Sequence, residues 1–225
     1  MRNLQMSCDD SIFKQYEKYR QVGMELNNKF LEELDSNDMK IALRALGVLK
    51  NNKVSLSADD DMDRCYDFMV HDYKNKHGQN LVSAYWDKNR DVSQEDSLII
   101  KSCLSSTSSL YEVISVNCTE KTIELHDLMH PDRDNIHIVD FGLSSSQMIK
   151  NFILYSRIIE FNDFNMTSGS ALVFDQCHKD ILLAKYKKKM NTVMIGDNQT
   201  KLAAAFFKLY QQYGYTQMGY KEVID

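Results

Sequence analysis

The chain has 225 residues, 43% of them hydrophobic, with a single proline and a formal charge of −5 at pH 7. That apolar content can bury a substantial core, which excludes a disordered or low-complexity protein. No run of about 18 apolar residues and no secretory leader pattern is present, so a cytoplasmic protein without a membrane span is expected.

From Ser11 to Leu34, Ile12, Phe13, Tyr16, Tyr19, Leu26, Phe30 and Leu31 recur largely at three- and four-residue steps, which predicts a long amphipathic helix. A second helix is expected with Asp38 as its cap, carrying Ile41, Ala42, Ala45, Leu46 and Leu49 and weakening or ending about Gly47. Val54 to Leu56 reads as a short extended piece. Met62, Cys65, Tyr66, Met69, Val70 and Tyr73 give the clearest helical period, behind acidic residues that favour a helix N-terminus. Asn80 to Lys88 and Ser93 to Ser105 add two helices, the latter opened by a capping-box variant of Ser93 and Asp96.

Between Ser109 and Phe174 the pattern changes to strand-length runs rich in Val, Ile, Tyr and Phe: SLYEVISVNC, KTIELHD, NIHIVDF, NFILYSRIIEF and GSALVF. These predict a small closed or half-closed barrel. Gln176 to Met190 then reads as a helix, and after the stop and cap of Gly196 and Asp197 so does Gln199 to Tyr213. The expected architecture is α+β, with N-terminal helices and two C-terminal helices packed on a five- or six-stranded antiparallel β-barrel. Residues 1–107 form the helical region, 108–175 the barrel and 176–225 a helical tail; without a long flexible linker they should make one body.

Charge is unevenly spread. The barrel segment 108–175 holds 4 Lys/Arg against 10 Asp/Glu, and the tail 176–225 holds 8 against 4. An acidic barrel repels a phosphate backbone, so nucleic acid is disfavoured there, although the basic tail could meet an acidic partner. Cys8, Cys65, Cys103, Cys118 and Cys177 are odd in number and widely spaced, which matches neither a zinc pair nor a disulfide framework.

The densest set of chemically versatile residues is His126, Asp127, His130, Asp132, His137 and Asp140, a ligand type suited to zinc. Alternation in the flanking strands puts His126 and His137 on one outer face, as possible neighbours across a hairpin. The competing explanation is a solvated turn around Pro131, and it weighs more, because the two-histidine zinc motif needs a helix. Asp59, Asp61 and Asp63 have calcium-loop spacing, but Arg64 and Val70 stand where glycine and a carboxylate are required. Cys177 and His178 are adjacent and, on a helix, point about 100° apart, which is poor geometry for a nucleophile and its base. The GLSSS run at 142–146 lacks the glycines of a nucleophile elbow or phosphate loop. Tyr85 and Trp86, and Lys187, Lys188 and Lys189, are candidate partner contacts; a core anchor and a dipole-complementing last turn explain them more simply.

Three stretches, LGVLKNNKVSLSADDDMDRCYDFMVHDYKNKHGQNLVSAYW, SSLYEVISVNCTEKTIELHDLM and SRIIEFNDFNMTSGSALVF, together resemble a bacterial family of uncharacterised proteins that often carry a SecA-type zinc tail, the SEC-C motif. The likeness covers about Met39 to Phe174, but the Cys-rich tail is absent and the chain ends in GYKEVID. The resemblance implies a fold and no activity. With no catalytic signature, the expectation is a non-catalytic binding or adaptor module for a protein or peptide, without a cofactor and possible as a homodimer. A metal-dependent hydrolase or nuclease using His126, His130, His137 and Asp127 is the alternative, and nucleic-acid binding through the basic C-terminal helix the second.

Overall fold

The computed structural model describes residues 3–215 apart from 57 and 59, with side chains from residue 11 onward. Cys8, Asp59 and Tyr220 therefore lie outside the described side chains, as does the GYKEVID end. Helix α1 runs Asn3–Glu32, starting earlier than the apolar period predicts, and α2 runs Ser36–Leu46. The cap of α2 is Asp35 rather than Asp38, because Asp35 Oδ1 accepts from the backbone N–H of Asn37 and Asp38 at 2.8 and 3.3 Å. Asp38 instead accepts from the Tyr73 hydroxyl at 2.8 Å, tying α2 to the segment just after the next helix. Gly47 closes α2 at φ 83°, a left-handed conformation that glycine adopts without strain.

A tight hairpin follows, β1 (Leu49–Lys50) against β2 (Lys53–Val54), slightly ahead of the extended piece expected at 54–56; Leu49, expected on the second helix, belongs to β1 because the left-handed Gly47 ends the helix before it. Asn51 and Asn52 turn it with φ 51° and 58°, the left-handed pair that favours asparagine. Helices α3 (Asp61–His71), α4 (Leu81–Lys88) and α5 (Gln94–Ser105) match the predicted periods closely, and Ser93 caps α5 through Asp96 N–H at 3.0 Å.

The sheet is antiparallel, in the order β5-β4-β3-β6-β7, with β8 pairing beside β7 on the same strand, β6. Its strands are β3 (Thr107–Asn117), β4 (Thr122–Asp127), β5 (Ile136–Val139), β6 (Phe152–Glu160), β7 (Asn165–Thr167) and β8 (Leu172–Asp175). β7 curls back to β5, where the Asn165 amide donates to the His137 carbonyl at 2.9 Å, so the sheet nearly closes into a barrel. The GLSSS region supplies short 3-10 turns at Leu143–Ser145 and Gln147–Asn151. A bulge at Ile114 shifts the β3–β4 register between Val113 and Ser115.

Alternation along the strands creates two cores. Tyr111, Val113, Ile123, Leu125, Ile138, Leu154 and Ile158 fill the barrel interior. The opposite face, with Leu110, Ile153, Tyr155 and Phe174, joins the helices in a larger core. The tail forms a 3-10 turn (Gln176–His178), then α6 (Lys179–Met190) and α7 (Asn198–Tyr213). Phe206 of α7 stacks on Tyr155 of β6 with centroids 4.3 Å apart, so the tail covers the barrel directly. Among the described residues, no helix is long and apolar enough to cross a membrane.

Candidate functional site

The hairpin histidines do not converge. The β4–β5 register sets His137 opposite Glu124, leaving His126 on the same face two positions along, where its Nδ1 meets the Asn135 side-chain oxygen at 3.0 Å. His130 turns away to Asp127, with Nδ1 2.9 Å from Oδ2. Asp127 is fully engaged: Oδ1 also accepts from the Ser109 hydroxyl at 2.6 Å and from Met129 N–H at 2.9 Å. Burial works against its charge, but these bonds and His130 outweigh it and hold the carboxyl below its ordinary range. Asp140 belongs to another network, and Asp132 lies exposed in the turn. Among the described residues, no three His, Cys, Asp or Glu side chains gather as metal ligands.

The other candidates have structural surroundings. Tyr85 meets Phe30 edge-on at 5.1 Å, and Trp86 lies under Arg90 and Lys101 at 4.7 and 5.7 Å. Lys187 and Lys188 are exposed on the last turn of α6, Lys189 less so, and Lys187 also approaches the Tyr186 ring. Asp61 and Asp63 lie in the first turn of α3; Asp61 accepts from Ala58 N–H and pairs with Arg64, as fits a helix N-terminus rather than a calcium loop. Cys177 is exposed, and the Asp175 carboxylate bonded to it pushes its thiol pKa up, away from a reactive thiolate.

The chemistry concentrates on α3 instead. Asp63, Asp67 and His71 stand at four-residue steps, the spacing that stacks side chains on one helical face, and all three line a cleft of about 800 Å³. Its opposite wall is α1, from Tyr16 to Leu31, and its lip is the 168–171 loop between β7 and β8. The face runs from solvent inward: Asp63 is exposed, Asp67 half-buried and His71 5% exposed. This volume is that of a pocket for a small molecule or a few residues of chain.

Two arginines, Arg20 and Arg64, border the cleft and a third, Arg157, borders the small chamber next to it; each is held by a carboxylate. Arg20 of α1 donates through Nη2 to Asp140 at 2.9 Å, through Nη1 to the Thr167 carbonyl at 2.6 Å and through Nε to the Tyr16 hydroxyl at 3.0 Å. Arg64 pairs with Asp60 at 2.6 Å and lies over the Tyr210 ring at 4.8 Å. Arg157 of β6 forms a buried pair with Asp72 and donates to the Ser106 carbonyl at 2.7 Å. Burial opposes the Arg157 charge, but Asp72 and Asp67 more than offset it and raise its pKa.

That field perturbs its neighbours. Burial is the main force lifting the Asp67 carboxyl to about 7; Arg157 pulls it down, Asp72 pushes it up and the Ser168 hydroxyl lowers it. Burial, helped by the Arg157 charge, drives the His71 pKa well below its ordinary value, so the imidazole is neutral at physiological pH. His71 Nδ1 is buried without a hydrogen-bond partner. Behind the cleft a chamber of about 30 Å³ is bordered by Arg64, Ser156, Tyr155 and Arg157, whose unpaired buried Nε, Oγ, OH and Nε face room for one or two waters. Cys103 lines the cleft too, but burial pushes its thiol up to about 12, which makes it a poor nucleophile.

A model of the family of unknown function DUF7986 matches residues 10–220. The chain belongs to that family. The DUF7986 match spans the whole barrel and all the helices except the first residues of α1, and it brings no activity or ligand with it. No curated protein and no solved structure matches. The α3 cleft was legible only in part: the period of α3 points to its apolar face, while the Asp63, Asp67, His71 spacing marks the polar one.

Proposed function

We propose that this DUF7986 protein is a cytoplasmic, non-catalytic binding module whose working surface is the cleft between α1, α3 and the 168–171 loop. The observation that carries the reading is His71: a 95%-buried imidazole, its Nδ1 without a partner, lines a cavity large enough for a ligand. Leaving a buried polar atom unpaired costs about 1–3 kcal/mol, a cost that a bound hydrogen-bonding group would relieve. The shape favours a small ligand or a short segment of a peptide partner over a flat protein interface. Free buried thiols at Cys65 and Cys103 fit a reducing compartment.

Gly23 gives a clean test. It lies on the α1 wall, and a Cβ built there meets nothing within 4 Å, so Gly23→Trp should fill the cleft without disturbing α1. A fluorine-labelled fragment set of cations, anions and neutral compounds, read by NMR, should give ligands whose binding Gly23→Trp abolishes. Fragments that bind the variant equally well, or a set in which none binds the native protein, would overturn the reading.

An acid–base reading has one observation in its favour: Asp67 titrates near 7 beside a neutral imidazole, the range in which a proton-transfer group works. Turnover of a cleft-bound ligand that Asp67→Asn abolishes would establish it over simple binding.

A further inference from the structure

We infer that the cleft takes an organic cation, an alkylammonium or alkylguanidinium group, accepted by Asp63 and Asp67 on α3 and by His71 Nδ1 at the floor. The inference rests on the cleft being the binding site and adds what it binds.

The inference follows from which groups are already engaged. Four carboxylates and two guanidiniums line the cleft: Asp60, Asp63, Asp67 and Asp140 against Arg20 and Arg64. Asp140 and Asp60 are each paired with one of those arginines. The nitrogens of Arg20 are all used, and the unpaired Nε of Arg64 faces the water-sized chamber behind. Asp63 and Asp67 are left: among the described residues, neither has an ion-pair partner within 4.0 Å. Among the charged groups, the capacity that faces the cleft unspent is therefore acceptor capacity with net negative charge, beside the neutral amides of Asn27 and Asn28 and hydroxyls of Ser168 and Ser170.

His71 supplies the independent observation. With its proton on Nε2, the tautomer that the inference requires, the neutral ring offers its buried, unpartnered Nδ1 as an acceptor for an N–H donor. The three acceptors rise along one face by about one helical turn each, a spacing that follows an extended, flexible chain with a cationic head. Tyr19, Tyr66 and Met24 border the same space and provide apolar and aromatic surface for the alkyl stem and the cation. A metal ion fits less well, since no three ligands converge among the described residues.

Binding is linked to pH through Asp67. The groups that act on it are Asp72 at the end of α3, Arg157 and Tyr155 of β6, Cys103 of α5 and Ser168 of the β7–β8 loop, with Asp63 and His71 one turn away on its own helix. A cation favours the ionised carboxylate, so its affinity rises from pH 6 to pH 8 as Asp67 loses its proton.

The probes are four compounds with one stem: butylamine, butylguanidine, butyrate and butanol, titrated calorimetrically into the full chain. The cations should bind at least tenfold more tightly than butyrate or butanol. Asp63→Asn and Asp67→Asn should each weaken them by roughly tenfold, and Asp67→Asn should also flatten the pH dependence. Asp63 is exposed, so its variant remains informative even if Asp67→Asn fails to fold. Tighter binding of butyrate, unchanged cation affinity in both variants, or displacement of butylamine by micromolar calcium would overturn the inference and leave the cleft as a binding site. Binding that persists in Gly23→Trp would instead remove the cleft itself. Spermidine and a Lys-containing tripeptide then separate the sources: preference for spermidine marks a free polyamine, preference for the peptide a basic segment of a partner.

Discussion

Asp72 and Arg157 stand 85 residues apart in the chain and meet as a buried ion pair, with side chains 4% and 3% exposed. The pair joins the end of α3 to the middle of β6, and Thr200 of α7 adds a third element by donating its hydroxyl to the Asp72 carbonyl at 2.6 Å. It holds the polar face of α3 against the barrel, and so fixes the depth of His71 and Asp67 in the cleft.

Removing Asp72 leaves the Arg157 charge buried with only Asp67, partly protonated at neutral pH, to offset it. Asp72→Ala should therefore cost about 3–5 kcal/mol in urea unfolding, whereas Asp72→Leu with Arg157→Met should cost much less, because no orphaned charge remains. A double variant no more stable than Asp72→Ala would show that the pair is not the constraint.

Stability should carry the mark of Asp67 as well. Its folded pKa, about 7, lies above the ordinary carboxylate value of 3.8, so between these pH values the folded state binds more protons than the unfolded one. Stability from this group is full at low pH and is lost as pH rises toward 7, with a slope of at most about 1.4 kcal/mol per pH unit. His71 acts oppositely: its depressed pKa gives stability that is present above about 6.5 and lost as pH falls. Asp67→Asn should therefore gain on the native protein steadily from pH 4 to 7, while His71→Gln should lose the decline on the acid side. Parallel stability curves for native protein and Asp67→Asn would contradict the assignment.

The end of α2 offers a purely conformational test. Gly47 sits at φ 83°, and a Cβ there would meet nothing nearer than Lys208 Cε at 3.8 Å. Gly47→Ala should thus cost about 1–2 kcal/mol from left-handed strain alone, without a clash. A neutral result in thermal unfolding would mean that the cap relaxes.

The fold was far more legible in the sequence than the site, for a physical reason. Strand alternation such as Ile123, Leu125 against Glu124, His126 records burial directly, and it correctly placed the barrel and the outer face of both histidines. Asp35 and Asp38 suit a cap equally by residue type, and only the backbone path decides which side chain accepts from the N–H groups. The Asn51–Asn52 pair suits the left-handed turn it makes, whereas the two-residue strands beside it are too short to alternate. The cleft left least: Asp67 and His71 look like ordinary polar-face residues until β6 brings Arg157 beside them, and that meeting depends on topology, not on local pattern.

Phe206 links the unfolding of the C-terminal helices to that of the barrel. Phe206 is fully buried between Tyr155 of β6 and Tyr186 of α6, with centroids 4.3 and 5.8 Å away. Truncating it should cost about 3–5 kcal/mol, through lost burial and the cavity left behind. The sole tryptophan, Trp86, lies on α4, outside these contacts. If the tail, barrel and N-terminal helices are one cooperative body, Phe206→Ala must shift the Trp86 fluorescence transition and the far-ultraviolet circular dichroism transition by the same amount. A Trp86 transition that stays in place while the dichroism splits in two would divide the chain at the barrel. In that event the cleft, whose walls come from α1, α3 and the barrel loop, would lie on the boundary between units rather than inside one.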